Sequence, residues 1–531
     1  MSSIPRRRVL ASTGALAGAA LIPTEASAAA GPTPAGRVLP EDVRYPDLVR
    51  GFNLRWAGRP DYVLLPTTTE QVVRAVSDAV RSGRRVTVRS GGHCFEDFTT
   101  TPDIKVVIDL SQLAAISYDA DRRAIEVQAG ATLVEVYDTL FRRWGVTVPG
   151  GQCLSVGAGG HVPGAGYGPM SRMYGLISDH LYAVEVVVVD RDGGARAVVA
   201  RRDDPDARLR DLWWAHTGGG GGSFGIVTRF WFRTPGATGD DPSGLLPKPP
   251  SHTWLSSVIW PWEGLTEAGF TRLVRNYGSW YERHRDAGTP FDGLFSRFNL
   301  LHKAGGVVQL ASTLASNGGD AEQRMREFVA AVGEGVGVSS MVTEHRRVPW
   351  LHSVSWANNA GADPTGRADY KSANMRRGFT AEQLAAMYRH LTRTDYQHQT
   401  ALVSIASLGG RIGAVAPGHT AVAQRDSIMR AMFFATWHDA AEDDRHVAWV
   451  REFYKGVFAA TGGVPVPNEV TDGCFINYPD GDLNDPRWNS SGVPWHTLYF
   501  KDNYARLQRT KAQWDPRDVF HHSQSIRPPA R

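Results

Sequence analysis

The sequence predicts an α+β fold in two parts, and three observations predict it. Short apolar runs rich in β-branched residues alternate with helical patterns as far as Arg233, and a glycine-rich loop leaves one of those runs. The stretch Thr234-Pro-Gly-Ala-Thr-Gly-Asp-Asp-Pro-Ser-Gly244, with Pro247, Pro249 and Pro250, then divides them from a second set of strand and helix patterns. A chain of 531 residues, 42% hydrophobic, exceeds the size at which one core keeps growing, so two domains are expected.

In chain order, Arg6-Arg7-Arg8-Val9-Leu10, an Ala/Gly/Leu run to Ile22 and Ala26-Ser27-Ala28 read as a twin-arginine export signal over residues 1–28. A Sec signal with an incidental arginine is the alternative. The apolar run is too short for a membrane span, which needs ~20 residues. An N-terminal segment, 29–55, follows. Tyr62 to Leu65 reads as a strand, Thr69 to Ser82 as a helix with Glu70 in its first turn, and Val86 to Val88 as a strand. Lys105 to Leu110 and Ala124 to Gln128 are further strands, and Thr132 to Trp144 has helical spacing. Ala183 to Val189 is a buried strand by its β-branching. Gly218 to Gly222 breaks the pattern before Phe224 to Phe232 resumes it. This first domain spans 56–233, and 234–250 is the linker.

In the second domain, 251–473, strands over Trp254–Trp260, Val307–Ala315, Thr400–Leu408 and Met429–Trp437 alternate with helices over Leu265–Arg283, Ala321–Val332, Ala381–Thr394 and Ala440–Ala460. One antiparallel sheet covered by helices on one face is the economical layout. A C-terminal segment, 474–531, remains. There is no internal repeat. A net charge of +4 on 58 basic and 54 acidic residues, with no long basic run outside the N-terminus, argues against nucleic acid and anionic membranes as partners.

Two loops carry the chemistry. Arg89-Ser-Gly-Gly-His-Cys-Phe-Glu-Asp-Phe98 and Gly150-Gly-Gln-Cys-Leu-Ser-Val-Gly-Ala-Gly-Gly160 supply one histidine and one cysteine, each among glycines. A doubly tethered flavin requires that pair: an imidazole nitrogen adds at the 8α-methyl and a thiolate at C6. The glycines let backbone N–H groups approach a pyrophosphate, which a Cβ would prevent. Of the three cysteines, Cys94 and Cys474 remain once Cys153 is used; two buried thiols are favoured over a disulfide. No Cys/His spacing suggests a metal, and His521-His522 reads as a solvated or packing pair.

On these motifs the chain resembles the berberine-bridge-enzyme-like branch of the vanillyl-alcohol oxidase superfamily. Further matches are Pro60 to Thr68, Gly166-Tyr-Gly-Pro-Met-Ser-Arg-Met-Tyr-Gly-Leu176, Asp211-Leu-Trp-Trp214, Gly218 to Thr228, Asn477-Tyr-Pro-Asp480, Asp515 to Phe520 and Gln524-Ser-Ile526. The resemblance implies a two-part FAD-binding domain, the C-terminal segment returning to it, with a substrate domain between. It implies FAD bonded covalently through His93 and Cys153. The cofactor contacts it implies are Arg89, Ser90, Gly91, Gly92, Cys94, Phe98, Gly151, Val156, Gly157, Gly160, Gly166, Gly225, Ile226, Val227 and Asn477.

The same resemblance implies Tyr478 as catalytic base, with Tyr167 orienting substrate or assisting; a structural ring is the plain alternative for each. A phenol with an ordinary pKa of ~10 needs a neighbouring cation or hydrogen-bond donor for that role. Phe475 departs from the family's Tyr-x-Asn-Tyr pattern, and neither His161 nor Tyr174 is read as catalytic. Val156, where relatives with a small aliphatic residue leave room for dioxygen, favours an oxidase. The expected function is a secreted bicovalent FAD oxidase that removes hydride from an alcohol carbon of a sugar or glycosylated natural product and passes electrons to O2, releasing H2O2. Its partners are that small molecule and O2, and within the family the chain resembles bacterial oxidases of antibiotic sugars. An oxidative cyclase or desaturase acting on an aglycone is the second reading. A flavin- or glycan-binding protein without turnover is a third, disfavoured by the intact His93, Cys153 and Tyr478.

Overall fold

Three sheets organise the chain in a computed structural model that describes residues 35–357 and 365–530. The export signal and the start of the 29–55 segment lie outside the described residues. The strands are β1 (Gly36–Val38), β2 (Tyr62–Leu65), β3 (Arg85–Arg89), β4 (Ile104–Asp109), β5 (Ile116–Asp119), β6 (Ala124–Gln128), β7 (Leu181–Val189), β8 (Ala195–Arg201), β9 (Ile226–Phe232), β10 (His252–Pro261), β11 (Leu294–Leu301), β12 (Val307–Ala315), β13 (Met341–Pro349), β14 (Arg367–Met375), β15 (Ala401–Ser407) and β16 (Met429–Trp437).

The first sheet has the order β1-β2-β4-β3, with β2, β4 and β3 parallel. Parallel strands need a crossover, and helix Thr69–Arg81 supplies the one from β2 to β3, between which β4 later inserts. Thr68 caps that helix by accepting from the Gln71 backbone, and Val72, Ala75, Val76 and Ala79 form its buried stripe. The His93 loop leaves β3, as the sequence predicts. The second sheet, β5-β6-β9-β7-β8, is antiparallel. Helix Leu133–Trp144 begins at a Thr132/Glu135 capping box, ends at Gly145 with φ of 66°, and delivers the chain to the Cys153 loop.

The third sheet is wholly antiparallel, in the order β13-β10-β12-β11-β15-β16-β14. It has seven strands where the sequence patterns indicate four. Helices Glu267–Arg283, Ala321–Gly333, Ala381–Leu391 and Asp443–Val457 take the helical positions, the last shorter than expected because single 3₁₀ turns flank it. The C-terminal segment rejoins the earlier elements. Helix Tyr504–Trp514 lies on helix Ala207–Ala215, where Arg506 pairs with Asp211 at 2.6 Å and Trp514 Nε1 donates to the Arg208 carbonyl. Buried Lys511 holds Asp515 and the carbonyls of Ser223 and Phe520. No helix among the described residues is long and apolar enough to cross a membrane.

Candidate functional site

The His93 and Cys153 loops meet face to face. His93 Nε2 lies 2.9 Å from Ser155 Oγ, and the imidazole stacks on Phe52 at 4.8 Å. Close approach explains the glycines: a Cβ on Gly91 would stand 2.2 Å from the Gly157 nitrogen, and one on Gly157 would stand 2.1 Å from Ser90 Oγ. Ser90 fastens the pair, donating to the Ala129 carbonyl and accepting from the Gly159 N–H. Gly92 adopts φ of 71°, a conformation L side chains rarely take. Gly160, in contrast, faces open space, with Gly221 across from it. The result is a backbone-walled cradle at the foot of the His93–Cys153 pair.

Burial holds His93 down at about 4, so it is a neutral imidazole with a free electron pair. Burial pushes the Cys153 thiol up while Arg297 beside it pulls the other way. His161 fixes the Cys153 loop. Its Nε2 accepts the Gly151 N–H at 3.0 Å, its ring fills the space a Gly166 side chain would need, and burial holds it at about 4. Accepting at Nε2 requires the neutral form, so His161 is a positioning residue on which Gly151 and Gly166 both lean.

Tyr478 and Tyr167 come together from distant parts of the chain, hydroxyl to hydroxyl at 3.2 Å. Phe95, from the His93 loop, stacks on the Tyr478 ring at 5.5 Å, and Phe475 packs edge-on against both tyrosines. Phe475, the departure from the family pattern, thus serves as an apolar wall. Two arginines that the sequence reading does not single out complete the site. Arg297 on β11 donates to Gln152 at 2.7 Å and lies against Tyr167, Tyr478 and Cys153; burial opposes its charge, but those groups outweigh it and raise its pKa. Arg430 on β16 sits 4.4 Å from the Tyr167 ring centre and 3.5 Å from that of Phe475. Burial still dominates at Tyr478, whose phenol is raised above its ordinary value, with Arg297 and Arg430 opposing. The sequence reading asks for a cation or donor beside this base; both are present, and the resting phenol stays protonated all the same. No local pattern marks either arginine, since each faces the site only through sheet alternation.

The remaining expected residues take separate places. Asn477 buttresses the loop after Cys153, donating to the His161 carbonyl at 3.1 Å. Arg89 turns to the Leu48 carbonyl and Asp109, and Phe98 stacks on His522 at 4.0 Å. Gly225 is required by Val187, whose carbonyl would stand 2.5 Å from a Cβ, and Ile226 and Val227 open β9. Val156 is half-buried, its carbonyl accepting from Leu133. Cys94 and Cys474 are both free thiols pushed up to about 12 by burial, in accord with the sequence reading. His522 is a packing residue, held at about 3 by burial, that meets the Gly221 carbonyl. Tyr174 donates to the Lys248 carbonyl and takes no part in the site. No metal-ligand cluster occurs among the described residues.

A neutral imidazole, a cysteine and closely packed glycine loops fit a flavin dinucleotide: backbone that approaches without a Cβ suits a pyrophosphate, and His93 and Cys153 are the side chains that would flank the ring. The fold and site define an FAD-linked oxidoreductase. Residues 60–195 match the FAD binding domain family and residues 474–527 the "Berberine and berberine like" family. The chain is 52% identical over 491 residues to the aclacinomycin-N/aclacinomycin-A oxidase of Streptomyces galilaeus, covering 92% of this chain and 89% of that one. It is 32% identical over 535 residues to the hexose oxidase of Chondrus crispus, covering 91% and 93%. Among solved structures, a glycopeptide hexose oxidase complexed with teicoplanin superposes with a TM-score of 0.89 at 45% identity, covering 94% of this chain and 99% of that one. The chain belongs to the berberine-bridge-enzyme-like family of FAD-dependent oxidases.

Proposed function

We propose that this enzyme is an exported oxidase, its FAD bonded to both His93 and Cys153, that oxidises an alcohol carbon of a sugar or glycosylated natural product at the expense of dioxygen. The observation that carries the reading is the Tyr478–Tyr167 phenol pair, 3.2 Å apart and backed by Arg297 and Arg430, beside the two anchor loops. Bound FAD would accept hydride from the alcohol carbon and pass the electrons to dioxygen as hydrogen peroxide. The chain's own part is to hold the donor carbon and remove a proton from its hydroxyl. Tyr478 receives that proton, Tyr167 donates a hydrogen bond that steadies the phenolate, and the fixed charge of Arg297 favours it further.

In this reading 56–233 with 474–531 holds the flavin, 234–250 is a linker, 251–473 shapes the substrate cleft, and the twin-arginine segment 1–28 directs export of the loaded protein. Aclacinomycin N and teicoplanin, named with two of the similar proteins, together with D-glucose as a simple member of the hexose class named with a third, form the natural first panel. Anaerobic addition of at least one should bleach the flavin absorbance, and readmitting air should restore it with one peroxide per flavin. A flavin that none of the three bleaches would overturn the sugar-directed reading.

A further inference from the structure

The seven-stranded sheet has one covered and one open face. Along β11, Ser296, Phe298 and Leu300 are buried while Arg297, Asn299 and Leu301 are half-exposed. β12 alternates buried Val308 and Leu310 with half-exposed Gln309 and Ala311, and β16 alternates buried Phe433 with half-exposed Met432 and Phe434. Helix Glu267–Arg283 closes one side, where the Tyr277 and Tyr281 hydroxyls meet Ser296 at 3.0 and 2.7 Å. Arg297 belongs to the other side. The open face is therefore the one that meets Tyr478.

Four polar side chains from four adjacent strands form a single row on that face. Ser404 Oγ on β15 donates to Asn299 Oδ1 on β11 at 2.7 Å. Asn299 Nδ2 donates to Gln309 Oε1 on β12 at 3.1 Å, and Gln309 Nε2 donates to Ser257 Oγ on β10 at 3.2 Å. Strand register builds the row, with Asn299 opposite both Ser404 and Gln309. All three bonds run one way, and because a serine hydroxyl that can donate or accept stands at each end, the reversed row uses the same number of donors and acceptors. Each amide has then spent one N–H and one lone pair. One donor and one acceptor remain on each, and both amides are half-exposed on the open face.

A donor beside an acceptor is complementary to a hydroxyl together with the oxygen next to it, whether hydroxyl, ring or glycosidic. Asn299 lies two residues from Arg297 on the same face, about 6.8 Å along the strand, and Arg297 touches Tyr478. Ile259 opposite Gln309 and Met432 opposite Ser404 flank the row with apolar surface, so few polar groups compete with it. We propose that Asn299 and Gln309, held in place by buried Ser404 and Ser257, form the sugar-reading subsite, hydrogen-bonding a hydroxyl and its neighbouring oxygen on the glycosyl group whose alcohol carbon faces Tyr478.

This inference rests on the sugar-directed reading above. Its test is anaerobic flavin bleaching as a function of D-glucose, aclacinomycin N or teicoplanin concentration in wild type, Asn299→Asp and Gln309→Leu. Asn299→Asp keeps shape and volume but replaces the donor with a second acceptor, so it remains informative if Gln309→Leu fails to fold; a cooperative melting transition near that of wild type reports folding. Loss of one directed hydrogen bond should raise the half-saturating concentration about tenfold, while the limiting bleaching rate falls far less. Half-saturation unchanged within about twofold in both folded variants, or a loss confined to the limiting rate, would overturn the subsite. A wild type that none of the three compounds bleaches overturns the sugar-directed reading and the subsite together, so the two failures are distinguishable.

Discussion

The hydroxyls of Tyr167 and Tyr478 lie 3.2 Å apart although 311 positions separate them in the chain, and two arginines, half-exposed Arg297 and buried Arg430, face the pair. Burial raises the Tyr478 phenol, while Arg297 and Arg430 restrain the rise. A base with a pKa above neutrality is mostly protonated at pH 7, so the rate of anaerobic flavin reduction should climb with pH through the alkaline range. Tyr478→Phe keeps the ring and its stacking on Phe95. Rapid-mixing measurements should show flavin reduction slowed by about 10²–10⁴-fold, the usual contribution of a general base, with reoxidation by air untouched. A loss within about threefold at neutral pH would remove Tyr478 from that role.

Arg297 separates the contribution of charge from that of burial. Arg297→Gln removes the cation and leaves a polar side chain of similar reach. Because the cation favours the phenolate, its removal should move the alkaline rise of the reductive rate to still higher pH. An unmoved profile would mean that Arg430 and Tyr167 suffice.

The anchors make separate predictions. His93 is a neutral imidazole whose Nε2 meets Ser155, two residues from Cys153, so the two proposed tethers belong to separate loops and are tested separately. Acid-precipitated protein should stay yellow in the wild type and in His93→Ala and Cys153→Ala singly, and should lose its colour only in the double variant. Flavin stripped from the wild type by acid would refute covalent attachment.

Val156 lies in the loop between Cys153 and Gly157. Enlarging it should obstruct dioxygen more than the substrate. Val156→Leu should therefore slow reoxidation of the reduced flavin in stopped flow and leave the anaerobic bleaching rate near that of wild type. Equal slowing of both half-reactions would point to a general distortion of the loop.

Glu96 offers a pH test of the loop architecture. Its carboxylate accepts the Gly481 N–H at 3.0 Å, joining the His93 loop to the Tyr478 loop, and burial, with Asp369 and Asp480 nearby, pushes it up to about 8. The folded value exceeds the ordinary 4.5, so the unfolded chain releases this proton first and the wild type loses stability as pH rises from 4.5 to 8. Glu96→Gln cannot titrate. Calorimetry should find its melting temperature gaining on wild type across that window, by at most ~1.4 kcal/mol per pH unit in free energy. A difference between the two proteins that stays constant with pH would show that Glu96 is ionised throughout.

What the sequence alone determines here is local: one glycine loop leaving a strand with a histidine in it, another following a helix with a cysteine in it, caps such as Thr68 and Thr132, and the strongly β-branched run at Val184 to Val189. Those features need only neighbours within a few residues, so they are legible without a fold. β11, β13 and β14 are not, because Leu294–Leu301, Met341–Pro349 and Arg367–Met375 mix charged, small and helix-tolerant residues, and pairing with strands already in place decides their state. The same holds for the site. Tyr478 could be matched by motif, but Arg297, Arg430 and the Asn299–Gln309 row acquire their chemistry only when antiparallel register turns alternate side chains of separate strands toward one face. His161 becomes a fulcrum only once Gly151 and Gly166 close on its ring. Chemistry-bearing residues within one loop are a property of sequence, whereas the charge, burial and partners that tune them come from chain segments hundreds of residues away.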